Sequence, residues 1–207
     1  MNELVAVYGG AFDPFHKGHQ YAMQEVRNIG IKKIILVPTG SPVFKKEITD
    51  PLHRINLIKA TAIGDYVIED FELKNSAPSY TFNTIQHLKK NYKDLIIVIG
   101  EDNLANINKW YRLEEILAIS SFLVISRHSS ILNIEKFILK NNFKFSSDVS
   151  EILKGKKGIF YYHVGKNYNI SSSEVRQSLK SNPLNFEAKK HLSKEAIDYI
   201  KRFHLYQ

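Results

Sequence analysis

Two histidines stand three residues apart, at positions 16 and 19, inside the stretch GGAFDPFHKGH that spans residues 9 to 19. The stretch follows a short apolar run, ELVAVY, that reads as a strand, and it leads into a segment with helical spacing. Gly9 and Gly10 at this junction suit either an ordinary strand-to-helix turn or close approach of the backbone to a ligand, because neither carries a Cβ. At i and i+3 in the first turn of the next helix, the imidazoles of His16 and His19 face the same side, and Gly18 between them leaves room. A helix start also offers unpaired N–H groups and the positive end of the helix dipole, so the place favours an anion such as phosphate. Metal ligation, with Asp13 as a third donor, is the other chemical reading. Zinc asks for a fuller ligand set, whereas a phosphate-rich substrate that carries its own Mg²⁺ explains the pair with fewer assumptions. The chain has neither G-x-G-x-x-G after a strand nor G-x-x-x-x-G-K-[ST].

Three further stretches carry candidate chemistry. ISSSEVR at 170 to 176 reads as a helix start with a capping box from Ser171 to Glu174, and Arg176 just inside it makes the same place a second anion clamp. Ser79, Tyr80 and Thr81 begin a segment with helical spacing, whose first amides can receive a carboxylate. Trp110, the only tryptophan, offers a flat face either to the core or to a ligand ring, and Tyr111 follows it. Gly100 and Asp102 come directly after the apolar run LIIVI. Asp102 suits either a helix cap for NLANINKW or an acceptor for ribose hydroxyls at the carboxyl end of a strand.

GGAFDPFHKGH resembles the G-x-F-D-P-x-H-x-G-H signature of the nucleotidyltransferase superfamily, and ISSSEVR resembles its I-S-S-T-x-[IV]-R motif. SAPSYTFNTIQHL at 76 to 88 and VIGEDNLANINKWYRLEEIL at 98 to 117 are similar to the S-Y-T, G-x-D and W-[YH] features of bacterial nicotinate-nucleotide adenylyltransferases. The resemblance runs from residue 3 to about residue 180. It implies that Gly9, Gly10, Ala11, Phe12, His16, His19, Gly100, Asp102, Ile170, Ser171, Ser172 and Arg176 bind ATP. It implies also that Asp13, Lys45, Ser79, Tyr80, Thr81, Trp110 and Tyr111 bind nicotinate mononucleotide. His19, His16, Arg176 and Lys45 are then the residues that handle the reacting phosphates, with Mg²⁺ arriving on ATP and no dedicated metal site. Two departures stand out: Ala11 replaces a common threonine or serine, and Pro42-Val43-Phe44-Lys45 keeps only the first proline and the cation of P-P-H-[KR]. The implied product is nicotinate adenine dinucleotide. Alternatives are transfer to nicotinamide mononucleotide or another small phosphate acceptor, or a non-catalytic nucleotide- or nucleic-acid-binding protein.

These residues need a frame to bring them together. Short β-branched runs alternate with helical segments, which predicts an α/β, Rossmann-like, doubly wound and mainly parallel sheet with helices on both faces. Strands are expected at Leu4 to Tyr8, Lys33 to Pro38, Tyr66 to Leu73, Leu95 to Ile99, Phe122 to Ser126 and Ile159 to Val164. Helices are expected over the segment that stops at Gly30, from the Asp50-Pro51 start, over Tyr80 to Tyr92, and from Ser193 onward. A chain of 207 residues suits one domain, 1–207, with a C-terminal helical segment of about 170–207 packed on it. The loop from Thr39 to Asp50 leaves the carboxyl end of a strand and should border the ligand crevice.

Hydrophobic content of 43% and charged content of 24% fit a globular chain. Zero cysteines exclude a disulfide framework or thiolate metal site, and no apolar run reaches bilayer length, so the expectation is a cytoplasmic protein without membrane contact. The formal charge of +8 is spread in single and paired lysines rather than one stripe, so nucleic acid is not the expected partner, and a homo-oligomer is left open.

Overall fold

The computed structural model describes residues 3–41, 48–75, 78–126, 131–146, 148–165, 170–181 and 186–207. Seven strands form one sheet: β1 (Leu4–Gly10), β2 (Lys33–Pro38), β3 (Val67–Ile68), β4 (Asp94–Gly100), β5 (Ser121–Ser126), β6 (Lys144–Ser146) and β7 (Ile159–Val164). Their order is β3-β2-β1-β4-β5-β7-β6, and every pairing is parallel. Between them run α1 (Lys17–Asn28), α2 (Pro51–Thr61), α3 (Phe71–Lys74), α4 (Thr81–Leu88), α5 (Glu101–Leu104), α6 (Leu113–Ile119), α7 (Ile131–Lys140) and α8 (Val149–Leu153). After β7 come α9 (Ser172–Ser181), α10 (Phe186–His191) and α11 (Lys194–Arg202). This is the Rossmann-like α/β architecture, and the strand order reverses between β1 and β4. At such a switch point the loops leaving the two carboxyl ends part and open a crevice.

The central strands are apolar on both faces because both faces are covered. One face buries Val5, Val7, Ile97 and Val124 against α4 and α6 through Phe82, Ile85 and Ile116. The other buries Ala6, Leu36, Ile96 and Leu123 against α1 through Met23 and Val26. A third apolar cluster, with Leu57, Val175, Leu179, Ile197 and Ile200, joins α2 to α9 and α11. Among the described residues no helix is long and apolar enough to cross a membrane.

Local signals place most boundaries. Asp50 caps α2 by accepting from the Leu52 amide at 2.8 Å, with Pro51 as the first helical residue. Gly30 follows α1 at φ +100°, a left-handed position that favours glycine. Ser193 caps α11 through the Ala196 amide at 3.0 Å.

The expected strand from Tyr66 to Leu73 is corrected to the two residues of β3. Glu69 N–H still donates to Leu36 O, but the Phe71 amide is captured by Glu69 Oε1, and Leu73 and Lys74 N–H donate to Asp70 O. Those local bonds turn the chain into α3 at the sheet edge. Asp102 lies inside α5 rather than capping it; Gly100 holds the cap position. The three-residue β6 was not anticipated, and it is too short to carry a period.

Candidate functional site

The carboxyl end of β1 leads into α1 through Ala11 to His16. His16 stands at the N-cap in extended conformation, one position before the first helical turn. Its Nδ1 accepts from Gly18 N–H at 3.1 Å, and its own N–H donates to Nδ1 of His19 at 3.2 Å. The two histidines thus form a reciprocal capping box, a role usually taken by serine and glutamate. Their rings lie 3.9 Å apart between centroids. Because both Nδ1 atoms accept, the proton of each neutral ring is assigned to Nε2. A Cβ at Gly18 would come within 2.9 Å of both the His16 ring and Ile170 Cγ2, so only glycine fits between them.

His19 lines a cavity of about 450 Å³ at the switch point. Gly9, Gly10, Ala11, Ser79, Tyr80, Thr81, Gly100, Asp102, Trp110 and Tyr111 line it too, so most of the expected site residues share one crevice. His16, 1% exposed, stands behind His19 and outside that lining, as do Phe12, Asp13, Ile170, Ser171, Ser172 and Arg176. Lys45 lies outside the described residues.

The residues behind the lining form a brace. Phe12, at φ 49°, packs edge-on against His19 with centroids 5.1 Å apart. Gly10 keeps its space: a Cβ there would lie 3.0 Å from the Phe12 ring. Ser171 and Glu174 make the expected capping box of α9, Ser172 Oγ donates to Pro14 O at 3.1 Å, and Arg176 Nη1 donates to Asp13 O at 2.6 Å. The two helix starts, α1 and α9, therefore abut across the turn at residues 13 and 14. Arg54 of α2, fully buried, donates to Ala11 O and Thr49 O, both at 2.8 Å. Burial lowers the Arg54 pKa, and nearby Asp13 partly offsets this. The carboxylate of Asp13, 3% exposed, accepts from Thr49 N–H at 3.2 Å and from the Tyr206 phenol at 2.7 Å. It faces this brace and not the cavity.

The opposite wall is built from loops. Ser79 Oγ accepts from Gly40 N–H at 3.0 Å and Ser41 N–H at 3.1 Å, which ties the exit of β2 to the entrance of α4. Gly40 passes so close to α3 that a Cβ would lie 1.9 Å from Glu72 O. Thr81 opens α4 with no side chain capping it. Tyr80 and Tyr111 pack ring on ring, 4.7 Å apart, while Trp110 sits edge-on to Phe122 at 5.7 Å. Trp110 thus serves the core and the cavity wall together.

Glu72, Thr84, Asn103, Lys109 and Ser126 also line the cavity and were not expected from the sequence, and neither was Gly40, which packs behind it against Glu72 and Ser79. Glu72 accepts from Thr84 Oγ1 at 2.6 Å, and burial raises its pKa against the opposing hydrogen bonds of Thr84 and Ser79. A Gly in the loop after β2 and an acidic residue just before S-Y-T were visible, but nothing local linked them. Behind Ser126, Tyr162 donates to Glu101 at 2.8 Å, and burial pushes its phenol up to about 12.

Fold and site together define a class: a parallel α/β protein whose switch-point crevice has a histidine-capped helix start and an aromatic wall in one lining. The Cytidylyltransferase-like family model matches residues 7–178. A probable nicotinate-nucleotide adenylyltransferase of Caldicellulosiruptor bescii is 34% identical over 207 residues, covering 98% of each chain. One of Legionella pneumophila is 30% identical over 212 residues, covering 98% of this chain and 99% of the other. The nicotinic acid mononucleotide adenylyltransferase of Plasmodium falciparum, solved in complex with NaAD, superposes with a TM-score of 0.72 at 24% identity, over 99% of this chain and 97% of that one. The chain belongs to the cytidylyltransferase-like family, among the nicotinate-nucleotide adenylyltransferases.

Proposed function

We propose that the protein joins nicotinate mononucleotide to ATP, giving nicotinate adenine dinucleotide and pyrophosphate in NAD biosynthesis. One observation carries this reading: a single cavity has His19 and the α1 helix start at one end and the Ser79–Thr81, Trp110 and Tyr111 wall at the other. A phosphate oxygen of the mononucleotide attacks the α-phosphorus of ATP, forming one P–O bond. The bond to the β-phosphate breaks, and its electrons leave with pyrophosphate. The attacking phosphate is already ionised at neutral pH, so no protein base or nucleophile is required.

What the chain supplies is position and charge neutralisation. His19, donating from Nε2, contacts the α-phosphate as charge builds on it. His16, stacked behind, holds that ring and the helix start at the triphosphate. Arg176, with Nη1 held on Asp13 O behind the lining, and Lys45 supply positive charge to the β and γ phosphates. Mg²⁺ enters with ATP as part of the substrate. Asp102, at the carboxyl end of β4, receives ribose hydroxyls. The chain acts as one unit over residues 1–207.

Preference for the acid over the amide follows from the wall. The first amides of α4 donate to a carboxylate in charge-assisted bonds, whereas a carboxamide would turn its own NH₂ donors toward them. The test is incubation with Mg²⁺ and ATP plus either pyridine mononucleotide, with mass-spectrometric detection of the dinucleotide and a pyrophosphate assay. Dinucleotide from the acid at much higher efficiency is expected. Equal efficiency with both would overturn the acid preference, and no dinucleotide from either would overturn the reaction.

A further inference from the structure

We propose that Tyr206 is a positioning residue for phosphoryl chemistry: through Asp13, its phenol holds the turn before α1 in register with the end of the loop after β2. The inference rests on the reaction proposed above for its kinetic consequence, though not for its geometry. Tyr206 comes 193 residues after Asp13, yet its hydroxyl donates to Asp13 Oδ1 at 2.7 Å. Asp13 is the point where four segments meet. Its other carboxylate oxygen takes the Thr49 amide, its carbonyl takes Arg176 of α9, and Tyr206 arrives from beyond α11.

The route of the chain to this bond is itself specified. α11 ends with Leu205 N–H donating to Ile200 O at 3.0 Å and His204 N–H to Lys201 O at 3.3 Å, the Schellman pattern, with His204 at φ 51°. Leu205 then packs against the cluster that joins α2, α9 and α11. Tyr206 adopts a second left-handed conformation, φ 63°, which a non-glycine residue takes only where its surroundings compensate. What it gains there is partial burial of the ring against the cluster of α2, α9 and α11 and a hydrogen bond to a carboxylate. Burial first, then Asp13, raises the phenol's pKa, so it stays a donor.

The path from this bond to the chemistry is short. Asp13 adjoins Phe12, whose ring packs edge-on against His19, and Asp13 and Pro14 carry the carbonyls that anchor α9. Without the phenol, Asp13 keeps a buried oxygen lacking its partner and seeks another. The turn then shifts under His19. Neither Tyr206 nor Asp13 lines the cavity, so the effect falls on alignment rather than on substrate contact.

Tyr206→Phe, Asp13→Asn and the Tyr206→Phe/His19→Ala pair form the test, assayed below the melting temperature of each variant. Tyr206→Phe is expected to lower kcat about tenfold with KM for both substrates nearly unchanged, since small misplacements of reacting groups cost rate steeply. The same substitution should add less than about twofold on top of His19→Ala, because both act through one ring. Asp13→Asn should reproduce the loss and leave Tyr206→Phe without further effect. A lower melting temperature with wild-type kcat, or effects of Tyr206→Phe and His19→Ala that multiply independently, would overturn the proposal. The imidazole ¹⁵N resonances of His19 give a readout that needs no turnover: they move in Tyr206→Phe if the proposal holds and stay in place if it fails. Moved resonances in a protein inactive with both mononucleotides would keep the Tyr206 assignment and discard the substrate reading.

Discussion

The two walls of the crevice are built on different principles. The wall at His19 is buried and fastened from behind: His16 and Asp13 are 1% and 3% exposed, and side chains from α2, α9 and the segment after α11 reach the same six-residue turn. The wall at Tyr111 is open, with that residue 48% exposed and the loops beside it tied through Ser79 to Gly40 and Ser41. Phosphoryl transfer is served by donors that do not reorganise as charge develops, so rigidity belongs on the first wall. Recognition of a ring needs a surface that can admit and release it, which suits the second.

The largest test of that contrast is His19→Ala, expected to cost about 10²–10³-fold in kcat, the usual loss for one well-placed donor. Pyrophosphate release under saturating substrates measures it, and near-normal turnover would remove the first wall's chemical role. Gly18→Ala comes next. The added methyl meets the His16 ring and Ile170 at 2.9 Å, so about a tenfold loss of kcat is expected while far-ultraviolet circular dichroism stays unchanged. On the open wall the sign of the effect changes parameter. Tyr111→Ala should raise KM for the pyridine mononucleotide several-fold and leave kcat within about twofold, as expected when uniform binding is removed. An equal fall in kcat would mean the walls do not divide the work.

The smallest effect concerns Glu72. Its folded-state pKa is raised by burial, so the stability it contributes is full below the ordinary carboxylate range and is lost as pH rises through the raised value. Glu72→Gln removes that loss. At neutral pH the variant should therefore melt no lower than wild type, with a gain of at most a few degrees, the size of about 1 kcal/mol in a chain of this length. The gain should vanish on acidification. Thermal scans across pH would sharpen how much electrostatic cost the open wall tolerates.

Much of this arrangement could be read from the sequence because it is local. Apolar runs such as LIIVI declare strands buried on both faces, and Asp50-Pro51 and Ser171 to Glu174 declare helix starts within four residues. His16, Gly18 and His19 were legible for the same reason, since their spacing is their geometry. Tyr66 to Leu73 misled because its apolar residues suit a strand, while one bond to the Glu69 side chain and two to the Asp70 carbonyl divert it. Glu72, Gly40, Arg54 and Tyr206 could not be read, because each acquires its meaning from a partner far along the chain. Asp13 is the clearest case. Its motif suggested a substrate contact, but the tertiary structure turns its carboxylate toward Thr49 and Tyr206.

The mutual caps of His16 and His19 carry one more consequence. An imidazolium has no lone pair to offer a backbone amide, so a single proton on either ring converts an acceptor into a repelled donor and undoes one half of the box. Protonation of either ring should therefore fray the leading turn of α1, read as falling protection of the Gly18 and His16 amides relative to their intrinsic exchange with deuterated solvent.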